Sequence, residues 1–177
     1  PPKPKRERKP LVVNGVRGVR LGAVGARPGA FNTVRYSEKL LERHGISVTT
    51  VDLSEIIGAA NKLDASVPSV ISKLKEIQGY APAPGVPQDK LVQMAKMGVV
   101  LTQWSEANCL DATAIQCWTS VQQNFGCNIY TLMSMMSEKF MPSACEVDVT
   151  GVLTMYAMQL AGNTPARPFE VNLTAAK

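Results

Sequence analysis

Glu146 and Asp148 stand two residues apart in "PSACEVDVTG", residues 142–151, and no Lys, Arg or His occurs between Phe140 and Asn163. The flanking residues are small or apolar: Ser143, Ala144, Cys145, Val147 and Val149. A carboxylate in such surroundings is costly unless a cation or a donor meets it. Two chemistries suit it, holding a divalent cation or moving a proton. A third role needs no ligand, because acids in the first turn of a helix stabilise its dipole by about 0.3–1 kcal/mol. Spacing alone leaves cap and ligand equally open.

Other chemistry-bearing residues are sparse. Gly22, Gly25 and Gly29 fall between an expected strand and an expected helix, where backbone N–H groups can face an anion. Their spacing fits neither dinucleotide nor Walker patterns, so a tight turn explains them without a nucleotide. His44, the single histidine, precedes a helix-stopping Gly45, which argues against Ser–His or Cys–His nucleophile chemistry. Cys109, Cys117, Cys127 and Cys145 contain no C-x-x-C pair, which disfavours zinc and suits buried, reduced thiols. The methionines of "LMSMMSEKFM" read as core filling.

The elements that must position these residues follow from periodicity. "VRGVRLGAVG" (16–25) alternates and then turns small, as a strand entering a glycine loop does. Asn32 is the expected cap of a helix running to His44, with Val34, Leu40 and Leu41 facing inward. "ISVTTVDL" (46–53) is a β-branched strand, which completes a βαβ unit and predicts a parallel sheet. Residues 54–79 are helical with a break near Pro68, and "YAPAPGVPQ" (80–88) is a surface loop. Helical spacing resumes over 89–104, "ATAIQCW" (112–118) is a buried strand, and "IYTLMSMM" (129–136) a further one. A closing helix spans 146–162 and ends at Gly162. The expected fold is α/β, a three-layer Rossmann-like domain with a mainly parallel sheet.

Charge divides the chain differently. Residues 1–20 hold seven Lys/Arg against one acid, whereas residues 21–177 hold twelve against thirteen. The net charge of +5 therefore belongs to the start, and nucleic-acid binding by the whole surface does not follow. Residues 1–15 read as a basic, Pro-rich extended arm, 16–162 as the α/β domain and 163–177 as an irregular tail. No apolar run reaches the roughly 18–20 residues of a membrane span, and the start is unlike a secretory signal. An intracellular setting, cytoplasm or organelle matrix, is expected, with no membrane partner. A first residue other than Met is compatible with removal of an organellar targeting peptide.

Three stretches, "RLGAVGARPGAFNTVRYSEKLLERHGISVTTVDLSEI", "AIQCWTS" and "MPSACEVDVTGVLTMYAMQLAG", together resemble the L-fucose isomerase-like family, which includes arabinose-type aldose–ketose isomerases. The resemblance covers residues 16–162 and implies the Rossmann-like middle domain of a three-region enzyme. It implies manganese held by a Glu, an Asp and a distant His, with a carboxylate moving a proton between C1 and C2 of the sugar. Glu146, in an E-x-D-x-x-G context with Asp148 and Gly151, takes the place of the metal-binding glutamate and candidate base. Asp148 is carried over as a neighbouring metal candidate, and Gln116 and Trp118 fall near a substrate-contacting position. The family's second Asp has no counterpart in "PARPFEVNLTAAK", and its His lies in a region this chain lacks. The resemblance thus implies a domain inactive alone, completed by other isomerase domains or subunits.

A second function class fits the same residues. A non-catalytic structural subunit derived from that domain could sit in a large assembly such as an organellar ribosome. Lys3, Lys5, Arg6, Arg8 and Lys9 would then contact RNA phosphates or an acidic partner. A third is a small-molecule binding module using the 25–31 loop.

Overall fold

The computed structural model describes residues 12–165. Lys3, Lys5, Arg6, Arg8 and Lys9, and with them the expected RNA-contacting arm, lie outside the described residues, as does most of the expected tail. Residues 12–16 are helical, and Gly15 lies against Leu160, where a Cβ would come within 2.5 Å of a side-chain methyl.

Among the described residues, four parallel strands form one sheet in the order β2-β1-β3-β4: β1 (Arg20–Val24), β2 (Ser47–Val51), β3 (Ala112–Ile115) and β4 (Ser143–Ala144). The helices are α1 (Glu38–Arg43), α2 (Leu53–Lys62), α3 (Pro68–Tyr80), α4 (Gln88–Ala107), α5 (Tyr130–Glu138) and α6 (Val149–Gly162). Alternation along the strands assigns the two faces. Leu21, Ala23, Ala112 and Ala114 join Leu41, Val149 and Val152 in one core, against α1 and α6. Val24 and Ile115 join Leu53, Ile56, Ile77, Met97, Leu101 and Leu132 in the other, against α2 to α5. The expected three-layer α/β architecture is what the chain adopts.

Several local expectations need correction. Asn32 does not cap a long helix. Asn32–Val34 is a 3-10 turn, and the helix begins later because Ser37 offers its hydroxyl to Leu40 N (3.4 Å) and its carbonyl to Leu41 N (3.1 Å). Leu40 consequently points outward, 54% exposed, while Leu41 packs on the core. "IYTLMSMM" is helix α5 rather than a strand. A short apolar run carries no decisive period, and burial of Leu132, Met133 and Met135 follows a helical face. The 16–25 strand begins only at Arg20, after a turn at Gly18 (φ +82°). The 112–118 strand stops at Ile115. The break near Pro68 is present, with the proline at the start of α3, where its missing N–H costs nothing.

Gly22 belongs to β1 and not to the loop after it. A Cβ there would lie 2.5 Å from Leu110 Cδ1 and 2.8 Å from the Trp104 ring, so the glycine lets α4 settle on the sheet. We expect Gly22→Ala to destabilise the protein by about 1–3 kcal/mol through overpacking, read as a lower urea midpoint at unchanged m-value.

Candidate functional site at the carboxyl edge of the sheet

Strand order changes direction between β1 and β3, since β2 lies on one side of β1 and β3 and β4 on the other. In open α/β sheets the crevice beyond the carboxyl ends at such a point is the usual ligand position. Here it is a cleft of about 860 Å³ lined by residues that include Gly25, Asp52, Ser54, Gln116, Ser120 and Asn124. Gly25 has φ +81° and donates its N–H to Val51 O (2.9 Å). Its missing Cβ leaves room for the Gln116 side chain, whose Oε1 accepts from Ala26 N (2.9 Å). Of the glycines read as a loop, Gly25 thus works at the turn, and Gly29 has open space around it.

Gln116 and Trp118, expected near substrate, both follow β3. Gln116 lines the cleft, whereas Trp118, 44% exposed, is not among its lining residues. The indole meets Phe31 of the 25–31 loop edge-to-face, with ring centroids 5.8 Å apart. Nothing in the spacing singles out Phe31; only the fold brings the loop to β3. His44 closes α1, its ring Nδ1 2.8 Å from Leu40 O, far in function from any nucleophile.

The two acids of "PSACEVDVTG" separate in role. Asp148 is the N-cap of α6, accepting from Gly151 N (2.7 Å) and from the Thr150 hydroxyl (3.1 Å). A Cβ at Gly151 would press on the Asp148 carboxylate, so a side chain there would displace the cap from its present position. Glu146 lies outside the helix, whereas the expected helix begins with it. Glu146 and Val147 both adopt left-handed backbone (φ 59° and 55°), a conformation that is uncommon for Glu and costly for a β-branched residue. The reversal buries Val147 among Leu21, Ala23 and Val149 and turns Glu146 back over the ends of β3 and β4.

There Glu146 meets two cysteines. Cys117 and Cys145 are joined as a disulfide with Cα atoms 5.7 Å apart, which corrects the expectation of four buried, reduced thiols. Cys109 is free and exposed, and Cys127 is free and buried, its thiol pushed up to about 11 by desolvation. Glu146 Oε1 lies 3.4 Å from Cys117 Sγ and 3.5 Å from Cys145 Sγ. Glu146 Oε2 is buried with no hydrogen-bond partner. A disulfide sulfur has no proton to donate, so in this form the carboxyl group lacks any donor among the described residues. Burial accordingly raises the Glu146 carboxyl above its ordinary value, and burial first and the Glu146 charge second raise the nearby Tyr130 phenol.

Manganese favours hard oxygen and nitrogen donors. The described residues offer it the Glu146 carboxylate beside two sulfurs, with Asp148 already engaged by its own helix. On their own they do not fit a manganese centre.

The chain is distantly similar to sugar isomerases. Over 159 residues it is 27% identical to sulfoquinovose isomerase of Alkalicoccus urumqiensis, covering 86% of this chain and 35% of that enzyme. Over 155 residues it is 25% identical to sulfoquinovose isomerase of Clostridium sp. (strain MSTE9), covering 85% and 34%. Sulfoquinovose isomerase of Priestia aryabhattai is 22% identical over 157 residues, covering 87% and 35%. The chain spans about a third of the length of these curated relatives. No protein-family model matches it. Among the described residues no helix is long and apolar enough to cross a membrane.

Two expected outcomes follow from the separated acids. Asp148→Ala removes a cap and is expected to cost about 1 kcal/mol, measured by thermal denaturation. For Glu146 the sign is opposite. A carboxyl whose folded pKa exceeds its unfolded value keeps a proton in the native state that the unfolded chain releases. Its favourable contribution is complete below the unfolded value and is lost as pH rises through the folded one. We therefore expect Glu146→Gln to gain on the parent protein as pH rises above the ordinary carboxylate range, seen as a growing difference in Tm.

Proposed function

We propose that this chain is the sugar-facing α/β domain of an aldose–ketose isomerase of the L-fucose isomerase-like kind, with the Glu146 carboxyl as its proton carrier. The observation that carries this reading is the buried, unpartnered Glu146 Oε2 at the carboxyl edge of a sheet, in a chain aligned along most of its length with sulfoquinovose isomerases. Burial raises the Glu146 carboxyl above its ordinary value, the direction that favours a group that must both take and return a proton. In its ionised form Glu146 would take the C2 proton of an open-chain aldose. The C–H electrons form the enediol double bond as the C1 carbonyl oxygen gains a proton. Return of the proton from Glu146 to C1, with loss of the C2 hydroxyl proton, leaves the ketose. Gln116 offers the free hydrogen-bonding capacity of its amide to sugar hydroxyls, and the Trp118–Phe31 edge offers an apolar face to the C–H surface of the ring. The remaining two thirds of such an enzyme, including further donors for a manganese ion, would come from beyond the described residues.

Exchange of the matching third of the Alkalicoccus urumqiensis isomerase for this chain tests the proposal. The chimera is expected to convert sulfoquinovose, or a related aldose, to its ketose. Glu146→Gln is expected to lower kcat by about 10²–10⁴-fold with the fold retained by circular dichroism. A folded chimera without turnover, beside an active parent enzyme, would reject the reading in favour of a non-catalytic domain. For a chimera that does not fold, saturation-transfer NMR of the same sugars on the unfused chain decides: binding at Trp118 supports the proposal and its absence overturns it.

A further inference from the structure

Among the described residues, Cys117, Cys145 and Glu146 form a group whose potential ligand atoms all lie within 4.8 Å of one another. Their setting is not that of an ordinary structural disulfide. The carboxyl oxygen of Glu146 faces both sulfurs, and its other oxygen is buried without a partner. While the sulfurs are bonded to each other, three polarisable or charged groups converge and none satisfies another. A cation at their centre would satisfy all three.

Tetrahedral zinc with bonds of about 2.3 Å to thiolate and 2.0–2.2 Å to carboxylate sets an S···O edge of about 3.6 Å. The two S···O separations here are 3.4 and 3.5 Å. Only the sulfurs must part, to the roughly 3.8 Å S···S edge of such a tetrahedron. Side-chain rotation can supply that opening, because the cysteines sit just beyond adjacent strands on separate segments, with Cα atoms 5.7 Å apart.

We propose that in the reduced protein Cys117 Sγ, Cys145 Sγ and Glu146 bind a soft divalent cation of the zinc class, and that oxidation to the disulfide closes the site. Reduction by a dithiol breaks the S–S bond with two electrons and two protons, and the reductant becomes a disulfide. Zinc then displaces the thiol protons and takes two thiolates and the carboxylate, leaving a fourth position for water. A peroxide reverses the change: it takes two electrons from the two thiolates and two protons from solvent, leaves as two waters (or an alcohol and a water), the S–S bond re-forms, and the cation departs. The site shares Glu146 with the proposed proton carrier, but its occupancy is read without a sugar, so its failure and that of the isomerase reading are told apart.

The full chain, reduced with a phosphine and desalted anaerobically, is titrated with zinc, and bound metal is counted by mass spectrometry. One zinc per chain is expected, and none after treatment with hydrogen peroxide. Cobalt in place of zinc is expected to show thiolate-to-metal charge-transfer absorbance. Cys117→Ser and Cys145→Ser are each expected to weaken zinc by more than the roughly 10–100-fold that loss of an outer-shell partner costs. Cys127→Ser and Cys109→Ser are expected to bind as the parent does. For a serine variant that does not fold, Glu146→Gln replaces it, with weaker zinc and cobalt absorbance retained as the expected result. Absence of zinc from the reduced chain, or zinc binding unchanged by either serine substitution, would overturn the proposal.

Discussion

The site depends on the parallel pairing of β3 with a β4 only two residues long. Thr113 lies opposite Ser143 and Ala114 opposite Ala144, and the pair is pinned by a buried hydrogen bond from the Thr113 hydroxyl to Ser143 Oγ (3.0 Å). Ser143 N also donates to Ser137 Oγ (3.1 Å), which ties the end of α5 to the start of β4. Buried hydroxyls in apolar surroundings are costly unless matched, so this register is specified more sharply than two backbone pairs could specify it. A shift by one residue would carry Cys145 and Glu146 away from Cys117. Everything chemical at this edge rests on that alignment.

From the pairing outward, geometry accumulates in order. Val147 must reach the core beneath α6, which requires two consecutive left-handed residues, and that bend turns Glu146 over the strand ends. The backbone cost of order 1–3 kcal/mol per such residue is offset by burial of Val147 and by the Asp148 cap that starts α6 immediately afterwards. Asp148 and Glu146 are therefore not two copies of one function. One carboxylate caps the start of a helix; the other, at the strained position, keeps one oxygen buried without a hydrogen-bond partner.

Much of the fold is legible in the residues themselves. The β-branched run 48–51, the long helically spaced segment that forms α4, the proline opening α3 and the apolar helix ending at Gly162 all carry patterns whose physical meaning survives folding. The departures share a cause. "IYTLMSMM" is too short and too uniformly apolar to hold a period, and Ser37 outcompetes Asn32 as a cap because both have the right chemistry and only tertiary packing chooses. The site is less legible than the fold. Glu146, Gln116 and Trp118 stand out by type and by resemblance. The meeting of Cys117 with Cys145 does not, because a spacing of 28 residues matches no local metal motif and depends on two strand ends becoming neighbours. The cue that is present, a cysteine just after each of two small-residue strands, acquires meaning only once those strands are known to be adjacent.

The contact between Gly15 and Leu160 has a topological consequence. The path by which the backbone enters this body and the path by which it leaves run side by side on one surface. A unit with such a doorway can be threaded into the middle of a longer polypeptide while the hosts on either side keep their own contact, as domains with neighbouring ends generally permit. Such closeness of the two stretches of chain means that a longer polypeptide could run into and out of this body at one place on its surface.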